Sequence, residues 1–298
     1  MKKNIAFALM LIIICLFLTA CETDVQIGEE PNHAPVESST FNEEYTIASD
    51  RFYFNQLSKD EKKVYNELLT SSDGFVSHPG VVFSNQHDAG TIWPEQKNNN
   101  LTRALFAYWF DNPMSSLFYN GDAIIKSRML ANDQINFCLY FDLKIEPNHS
   151  FGNPEELANA VIQVEETVKR FVNTLEGSKT EKIKAIHDWI IADAVYEETP
   201  HCRNIYGAII EKKGICYGFA HAFKYVCDIA GLEAVSVGNE DHVWNYVRLE
   251  DGRWYLVDTT WDLYGGSDYL LVEIEPEFTS GKRYYETTWE FLYTPFHK

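Results

Sequence analysis

The order of hydrophobic patterns between residues 153 and 262 constrains the fold most strongly, because helical patterns come first and strand patterns follow. Apolar residues recur at helical spacing over residues 157–175 and again over 183–190. Residues 233–262, EAVSVGNEDHVWNYVRLEDGRWYLVDTTWD, instead predict a strand, a loop and a hairpin that turns at residues 250–252. The chain therefore places helices directly before neighbouring strands.

The starts of the helices are marked by capping residues. Asn153 followed by Pro154 combines a good N-cap with a proline at the first helical position. Ser178 and Glu181 have the spacing of a capping box, in which each side chain accepts the backbone N–H of the other residue. A second box at Ser58 predicts a helix near the start of the first region.

Residues 46–152 are interpreted as an N-terminal α+β region of unknown role, because they contain no motif that we can assign to chemistry. The runs LFAYWF at residues 105–110 and INFCLYFDLKI at residues 135–145 are both rich in aromatic and branched residues. Such runs favour strands, so we predict a strand at each.

Cys216 begins a third helical pattern, which continues through Phe219 and Phe223 to a stop at Gly231. At the first turn of a helix, unpaired backbone N–H groups favour an anion and therefore a thiolate. The residues leave three roles open for this thiol: half of a disulfide, a small buried hydrophobe, or a nucleophile.

The spacing of the cysteines restricts the disulfide alternative. Cys227 lies on the same predicted helix, roughly 16 Å from Cys216 at 1.5 Å per residue, which is too far for a disulfide. A bridge between Cys202 and Cys216 stays open. The chain has no C-x-x-C pair and no calcium-binding loop pattern, so we expect no metal and no cofactor.

A nucleophilic thiol requires a base and a group that orients the base, and the hairpin can supply both. If its turn has three residues and ends in a left-handed Gly252, Trp244 opposes Asp258 across the strands. His242 then lies diagonal to Asp258 on the same face of the sheet, within reach of it. A two-residue turn would place the two side chains on opposite faces.

Three blocks carry these residues: G-x-C-Y-G-F-A at 214–220, H-x-W-N at 242–245 and W-Y-x-V-D-x-T-W at 254–261. They resemble the signature blocks of the bacterial transglutaminase-like family, within the papain-like Cys-His-Asp superfamily. The segment K-I-x-x-I-H-D-W-I at residues 182–190, with Tyr196, resembles the lead-in of that family.

The resemblance covers about residues 155–270 and implies a transglutaminase-like domain over residues 153–298. Its implied fold is α+β and papain-like, with the helix of Cys216 packed on an antiparallel sheet that carries His242 and Asp258. The implied chemistry is acyl transfer at an amide through a thioester. Cys216 would attack the carbonyl carbon, His242 would move the proton, and Asp258 would hold the imidazole.

Three aromatic residues are further candidates for binding the substrate. Trp244 and Trp261 are candidates to wall the site against water, although core packing is the expected role for each. Tyr206 is a candidate second donor to the oxyanion, beside the backbone N–H of Cys216.

The start of the chain predicts export. A positive beginning and a short apolar run within residues 1–20 are typical of a secretory signal peptide. The sequence LTAC, which ends at Cys21, resembles the lipobox of bacterial lipoproteins and implies lipidation of that cysteine. Residues 21–45 are acidic and poor in large apolar residues, which predicts a flexible tether. We therefore expect an extracytoplasmic protein that is lipid-anchored to a bacterial membrane.

The charge balance narrows the choice of partners. The chain has 25 Lys and Arg against 44 Asp and Glu, a formal net charge of −19. Nucleic acid is therefore not an expected partner, and membrane contact is expected through the anchor alone. The expected substrate is a protein or peptide, including one associated with the cell wall, for a peptidase, amidase or cross-linking enzyme. The alternative is a non-catalytic envelope lipoprotein that keeps the fold for binding.

Overall fold

The computed structural model describes residues 51–59, 61–63, 65, 66, 69, 87–92, 97–117, 125–129, 135–139, 150–239, 242–264 and 266–273. The predicted signal peptide, Cys21 and the acidic tether lie outside these residues, as does the second half of the run at residues 135–145.

The first region contains one long helix and a small antiparallel sheet. Helix α1 spans Lys97–Asp111, with short 3-10 turns at Phe54–Gln56 and Pro113–Leu117. Strands β1 (His87–Ile92), β2 (Ile125–Met129) and β3 (Ile135–Leu139) form a sheet in the order β1-β3-β2. The strand prediction is thus confirmed for residues 135–139.

The strand prediction for residues 105–110 is wrong, because these residues belong to α1. Ala104, Ala107 and Phe110 are all buried there. An apolar run of this length fits a buried helix as well as a buried strand, so periodicity alone cannot separate the two.

The second region places three helices before a four-stranded sheet. The helices are α2 (Pro154–Val172), α3 (Lys179–Ile191) and α4 (Cys216–Ile229). Between α3 and α4, the two-residue strands β4 (Val195–Tyr196) and β5 (Lys213–Gly214) pair in parallel, separated by a π-helical turn at Gly207–Glu211. The sheet is antiparallel, in the order β6 (Ala234–Gly238), β7 (Val243–Arg248), β8 (Trp254–Val257) and β9 (Leu270–Glu273). Helix α5, Thr259–Asp262, follows β8 directly.

The predicted helix starts are confirmed. The Asn153 side chain accepts the backbone N–H of Glu156 at 2.9 Å. Both halves of the capping box at Ser178 are present. At Ser58, the backbone N–H donates to the Glu61 carboxylate at 2.7 Å, and the hydroxyl accepts in return. Each cap of this kind stabilises its helix by about 1 kcal/mol.

Helix α4 lies at the centre of the core. Phe219, Phe223 and Val226 are fully buried, and the helix contacts β6, β7, α2 and α3. A helix packed on an antiparallel sheet is the α+β, papain-like arrangement that the sequence predicted. None of the described helices is long and apolar enough to span a membrane.

The first region packs into this same core. The Tyr53 hydroxyl donates to the backbone oxygen of Ser236 on β6 at 2.6 Å. The ring of Phe110 lies parallel to that of His221 on α4, with centroids 6.2 Å apart. Side chains of residues 51–117 and of the helices and sheet after residue 153 therefore form one hydrophobic cluster.

The hairpin has the register that the sequence predicted. The backbone N–H of Leu249 donates to the oxygen of Arg253 at 3.1 Å, and Gly252 has a φ of 77°. The three-residue turn therefore places His242 and Asp258 on one face of the sheet.

Candidate active site

Cys216 is the first residue of α4 and is partly exposed. The residue before it, Ile215, has no side chain that can cap the helix, so no cap side chain accepts the backbone N–H groups of the first turn. The thiol is free, as are those of Cys202 and Cys227. The structure thus contains no bridge between Cys202 and Cys216, and a partly exposed Cys216 is not a buried packing residue.

The chain before α4 approaches the helix very closely. The backbone N–H of Ile215 donates to the oxygen of Cys202 at 3.0 Å. A Cβ atom added at Gly218 would lie 2.5 Å from that same oxygen. Glycine at position 218 therefore lets the backbone near Cys202 pass directly against the first turn that carries the thiol.

His242 precedes β7 and is held on several sides. Its backbone N–H donates to Oδ1 of Asn239 at 2.9 Å, and its Nε2 lies 2.6 Å from Oδ2 of Asp258. The imidazole is nearly parallel to the indole of Trp244, with centroids 5.9 Å apart, and meets Trp261 edge-on at 5.8 Å. These contacts fix both the orientation of the ring and the nitrogen that faces Asp258.

Asp258 is buried and uses each carboxylate oxygen for a different purpose. Oδ1 accepts the backbone N–H groups of Thr260 at 3.0 Å and Trp261 at 3.1 Å, which caps α5. Oδ2 faces the imidazole. Because the cap fixes the carboxylate, its second oxygen is held in place for His242.

The remaining side of the imidazole faces Cys216. Burial lowers the pKa of His242, but hydrogen bonds to Asp258 and Cys216, together with the negative charges of both, outweigh it and raise the pKa to about 9. Since Nε2 is engaged with Asp258, Nδ1 is the nitrogen available to the sulfur. At neutral pH the imidazole is therefore protonated between a carboxylate and a thiol, an arrangement suited to a thiolate–imidazolium pair.

The structure contradicts a substrate contact for Trp244. This residue is only 1% exposed and lies beneath the imidazole, so the alternative of core packing holds for it. Trp261 is partly exposed at the edge of the imidazole, where it can still border a substrate.

Tyr206 does not lie where the sequence analysis placed it. Its hydroxyl is 3.4 Å from Oε1 of Gln163 on α2, and its ring packs against Phe151 and His201. The hydroxyl is therefore directed towards α2 and not towards Cys216. His201 in turn contacts Glu211 at 2.7 Å and the backbone oxygen of Ser150 at 2.9 Å.

Tyr196, which the sequence offered only as part of the family's lead-in, lies close to the strand that leads into the helix of Cys216. It lies on β4 opposite Gly214, two residues before the nucleophile, and is 42% exposed. Burial raises its pKa, the charge of Cys216 raises it further, and a hydrogen bond with the Cys216 backbone lowers it. No periodic pattern could have revealed this, because two paired residues are too few to show one.

A second buried histidine–aspartate pair supports the first. Nε2 of His187 on α3 lies 2.9 Å from Oδ2 of Asp262 on α5, and Oδ1 of Asp262 accepts the backbone N–H of Tyr269 at 3.1 Å. Burial raises the pKa of Asp262, while the bonds to Tyr269 and His187 counteract it. The pair ties α5, and hence the helix cap at Asp258, to α3.

Within the described part of the chain, no group of three or more His, Cys, Asp or Glu side chains could hold a metal ion.

Residues 166–259 match the model of the family described as the Transglutaminase-like superfamily. Kyphoscoliosis peptidase of Mus musculus is 32% identical over 136 residues, which cover 36% of this chain and 20% of the relative. The Homo sapiens protein of the same name is 31% identical over 103 residues, which cover 27% of this chain and 15% of the relative. The chain therefore spans about a fifth of the length of these relatives, or less.

Among solved structures, the crystal structure of a TGase aligns with 46% of this chain and 44% of its own, with 13% identity and a TM-score of 0.30. A likeness at that score is too weak to support an inference.

Proposed function

Because residues 166–259 form a transglutaminase-like domain, we propose that the chain is a thiol enzyme that transfers acyl groups from amide bonds. We further propose, from the predicted signal peptide and Cys21 alone, that it is exported and lipid-anchored. One observation carries the proposal. The imidazole of His242 lies 2.6 Å from the buried Asp258 carboxylate and is hydrogen-bonded to Cys216 at the first turn of α4. A nucleophile, a base and an orienting group in contact are the requirement for covalent catalysis at a carbonyl.

The proposed first half-reaction forms a thioester. The Cys216 thiolate attacks the amide carbon, the new C–S bond forms, and the carbonyl π electrons move to oxygen. When the oxyanion collapses, the C–N bond breaks and the nitrogen leaves with the proton of the His242 imidazolium as ammonia or an amine.

The second half-reaction releases the acyl group. Neutral His242 takes a proton from a water molecule or a primary amine as that nucleophile attacks the thioester carbon. The C–S bond then breaks, and sulfur leaves as the thiolate, which restores the resting pair with the imidazolium. Water gives hydrolysis and an amine gives cross-linking. The name of the two relatives, peptidase, makes hydrolysis the first outcome to test.

Alkylation by iodoacetamide tests the proposed pair without any knowledge of the substrate. We expect Cys216 of the full-length chain to react at neutral pH at least tenfold faster in the wild type than in the His242→Ala variant. The variant is the proper control because Cys202 and Cys227 are buried and react slowly for that reason alone. Equal rates in the two proteins would favour the non-catalytic binding lipoprotein.

The acyl acceptor is identified by a second assay. A labelled primary amine and a glutamine-containing protein are incubated with the wild type and with Cys216→Ala. Incorporation of label indicates cross-linking, and new amino termini indicate hydrolysis. Neither product from the wild type would contradict amide chemistry on protein substrates.

A further inference from the structure

His187 on α3 is a buried histidine that the proposed chemistry does not use. Its ring is fully buried, and Nε2 lies 2.9 Å from Oδ2 of Asp262, whose side chain is 1% exposed. On the other side of the ring, Nδ1 lies 3.0 Å from Oδ1 of Asp188, whose side chain is 72% exposed. An ionised carboxylate only accepts hydrogen bonds, so Nε2 is the donor in the contact with Asp262. Helix α3 therefore directs an N–H group at the end of α5.

The backbone of Asp258 is tied to Asp262 at the opposite end of α5. The backbone N–H of Asp262 donates to the oxygen of Asp258 at 3.3 Å, and the N–H of Asp258 donates to the oxygen of Tyr269 at 2.9 Å. The N–H of Tyr269 donates in turn to Oδ1 of Asp262 at 3.1 Å. These three hydrogen bonds form a closed ring of contacts, so a movement of the Asp262 carboxylate is passed on to Asp258.

Helix α5 is too short to hold this arrangement by itself. It has four residues, Thr259–Asp262, and a helix of that length makes too few internal hydrogen bonds to be stable alone. Its position therefore depends on the cap at Asp258 and on its packing against α3. The contact between His187 and Asp262 is a buried polar link between these two helices.

The charges of the two carboxylates make a donor at Asp262 important. Asp258 is 1% exposed and Asp262 is 2% exposed. Burial raises the pKa of Asp262 and the charge of Asp258 raises it further, whereas the contacts with Tyr269 and His187 lower it. Removal of one partner from a buried pair leaves an uncompensated charge, which is costly. Without His187, the Asp262 carboxylate would turn towards another donor or take up a proton, and either change would disturb its contact with Tyr269.

We propose that His187 is a positioning residue: through Asp262 and α5, it holds the Asp258 carboxylate against the imidazole of His242. The inference rests on the proposed function and deepens it. His187 acts on the placement of Asp258, which lies 2.6 Å from His242, and not on the reacting atoms. Misplacement of a catalytic group by about 1 Å can cost about 10²-fold in rate, so a small rotation of α5 is enough to weaken the resting pair of Cys216 and His242.

Two substitutions separate the hydrogen bond of His187 from its volume. In His187→Gln the side-chain NH₂ group can take the place of Nε2 and donate to Asp262, whereas His187→Leu fills the space without a donor. We expect iodoacetamide to alkylate Cys216 of the full-length chain at least fivefold more slowly in the leucine variant than in the wild type. The glutamine variant should stay within twofold of the wild type. Equal losses in the two variants would overturn the role of the donor.

The leucine variant has a substitute if it does not fold. His187→Met also lacks a donor, and its flexible side chain adapts to irregular spaces in a core. We expect the same loss of alkylation at Cys216 in the methionine variant.

A double-mutant cycle tests whether the effect of His187 passes through Asp258. In Asp258→Asn the charge that His187 positions is already lost, so the addition of His187→Leu should slow alkylation by less than a further twofold. A substitution that acts only by loosening the structure would slow alkylation equally in both backgrounds. Equal slowing would therefore overturn the inference.

Ile183→Ala is the matched control, because Ile183 is fully buried and lies one turn before His187 on the same helix. It should lower the denaturant midpoint while alkylation of Cys216 stays within twofold of the wild type. If Ile183→Ala slows alkylation as much as His187→Leu does, the loss reflects general destabilisation, and the inference is overturned.

The same measurements distinguish this inference from the proposed function. If Cys216 of the wild type is alkylated no faster than in His242→Ala, both are overturned. If the wild type is alkylated faster than His242→Ala and His187→Leu keeps the wild-type rate, the thiolate chemistry stands and the positioning role of His187 is overturned.

Discussion

At Asp258, one carboxylate oxygen accepts the backbone N–H groups of Thr260 and Trp261 while the other faces His242. The residue therefore links local stability to chemistry: the same side chain begins α5 and orients the proposed base. A substitution that keeps the cap of α5 but removes the charge beside His242 can separate these two roles.

Asp258→Asn keeps an oxygen that can cap α5 but loses the negative charge beside the imidazole, whereas Asp258→Ala loses both. We expect alkylation of Cys216 to fall at least tenfold in each variant. Only the alanine variant should also lose about 1 kcal/mol of helix capping in denaturant unfolding. An asparagine variant that alkylates at the wild-type rate would show that the charge is not needed.

The raised pKa of His242 predicts a dependence of stability on pH. Its folded value of about 9 exceeds the ordinary 6.5, so its contribution is fully present below about pH 6.5 and is lost as pH rises through 9. At about 1.4 kcal/mol per pKa unit, the loss is on the order of 3 kcal/mol. Denaturant unfolding between pH 7 and 10 should show this decline in the wild type and not in His242→Ala.

The range from pH 7 to 10 lies above the titration of a second buried group, the Asp111 carboxyl. Burial raises the pKa of Asp111 to about 6, against the effects of Lys224 and of hydrogen bonds from Tyr53, Phe54 and Tyr65. Its contribution to stability is therefore lost as pH rises through about 6, below the range of the measurement. Parallel curves for the wild type and His242→Ala above pH 7 would contradict the assignment of the raised pKa to His242.

The sequence predicted the contact between His242 and Asp258, because the parity of a hairpin follows from the length of its turn and Gly252 indicated that length. It did not predict which tyrosine lies beside the strand that leads into α4. Tyr206 was chosen for nearness in sequence, whereas Tyr196 arrives through a parallel pair of two-residue strands. Such a pair is set by tertiary packing and leaves no alternation of polar and apolar residues.

At the scale of elements, α4 is the helix on which the site depends, and its first turn is packed against backbone. Gly218 allows that packing, since an added Cβ atom would meet the Cys202 oxygen at 2.5 Å. The backbone at Cys202 cannot move aside as a flexible side chain would. The glycine of the motif G-x-C-Y-G-F-A thus has a steric reason within the helix, beyond any role in the chemistry.

Gly218→Ala should therefore destabilise the protein by about 1–3 kcal/mol, although alanine has the better helix propensity by about 1 kcal/mol. Gly266→Ala is the control, because its added Cβ atom would meet nothing closer than 3.6 Å. Unfolding free energies of the two variants should differ in this direction. A Gly218→Ala protein as stable as the wild type would show that the Cys202 backbone yields easily.

Capping residues indicated the beginnings of α2 and α3 from sequence, since a cap is a local interaction among neighbours in the chain. The helix at residues 97–111 was not predicted, because its aromatic run matches the composition of a strand and its burial on several sides removes the helical stripe. Local sequence signals thus predicted where helices begin, but they did not predict whether a fully buried segment is a helix or a strand.

For the whole molecule, the proposed lipid anchor determines where the chemistry would take place. Each buried CH₂ group of an acyl chain contributes about 0.8 kcal/mol to membrane association, so a lipoprotein with more than one chain is held stably. We expect Cys21→Ala to move the protein to the soluble fraction or to block its processing. Cys15→Ala, within the predicted signal, should leave the protein in the membrane fraction, and a membrane-bound Cys21→Ala protein would contradict the anchor.

The hydrophobic cluster shared by the two regions bears on how such chains can diversify. Tyr53 is bonded to β6 and Phe110 is stacked on a ring of α4, so the segment from residue 166 to 259 has surfaces that other parts of the chain cover. Gene rearrangement could move this segment into another protein only if that protein buried the same surfaces of α4 and β6. A protein that inherits the site on α4 must therefore also inherit residues that pack against α4 and β6 as Phe110 and Tyr53 do here.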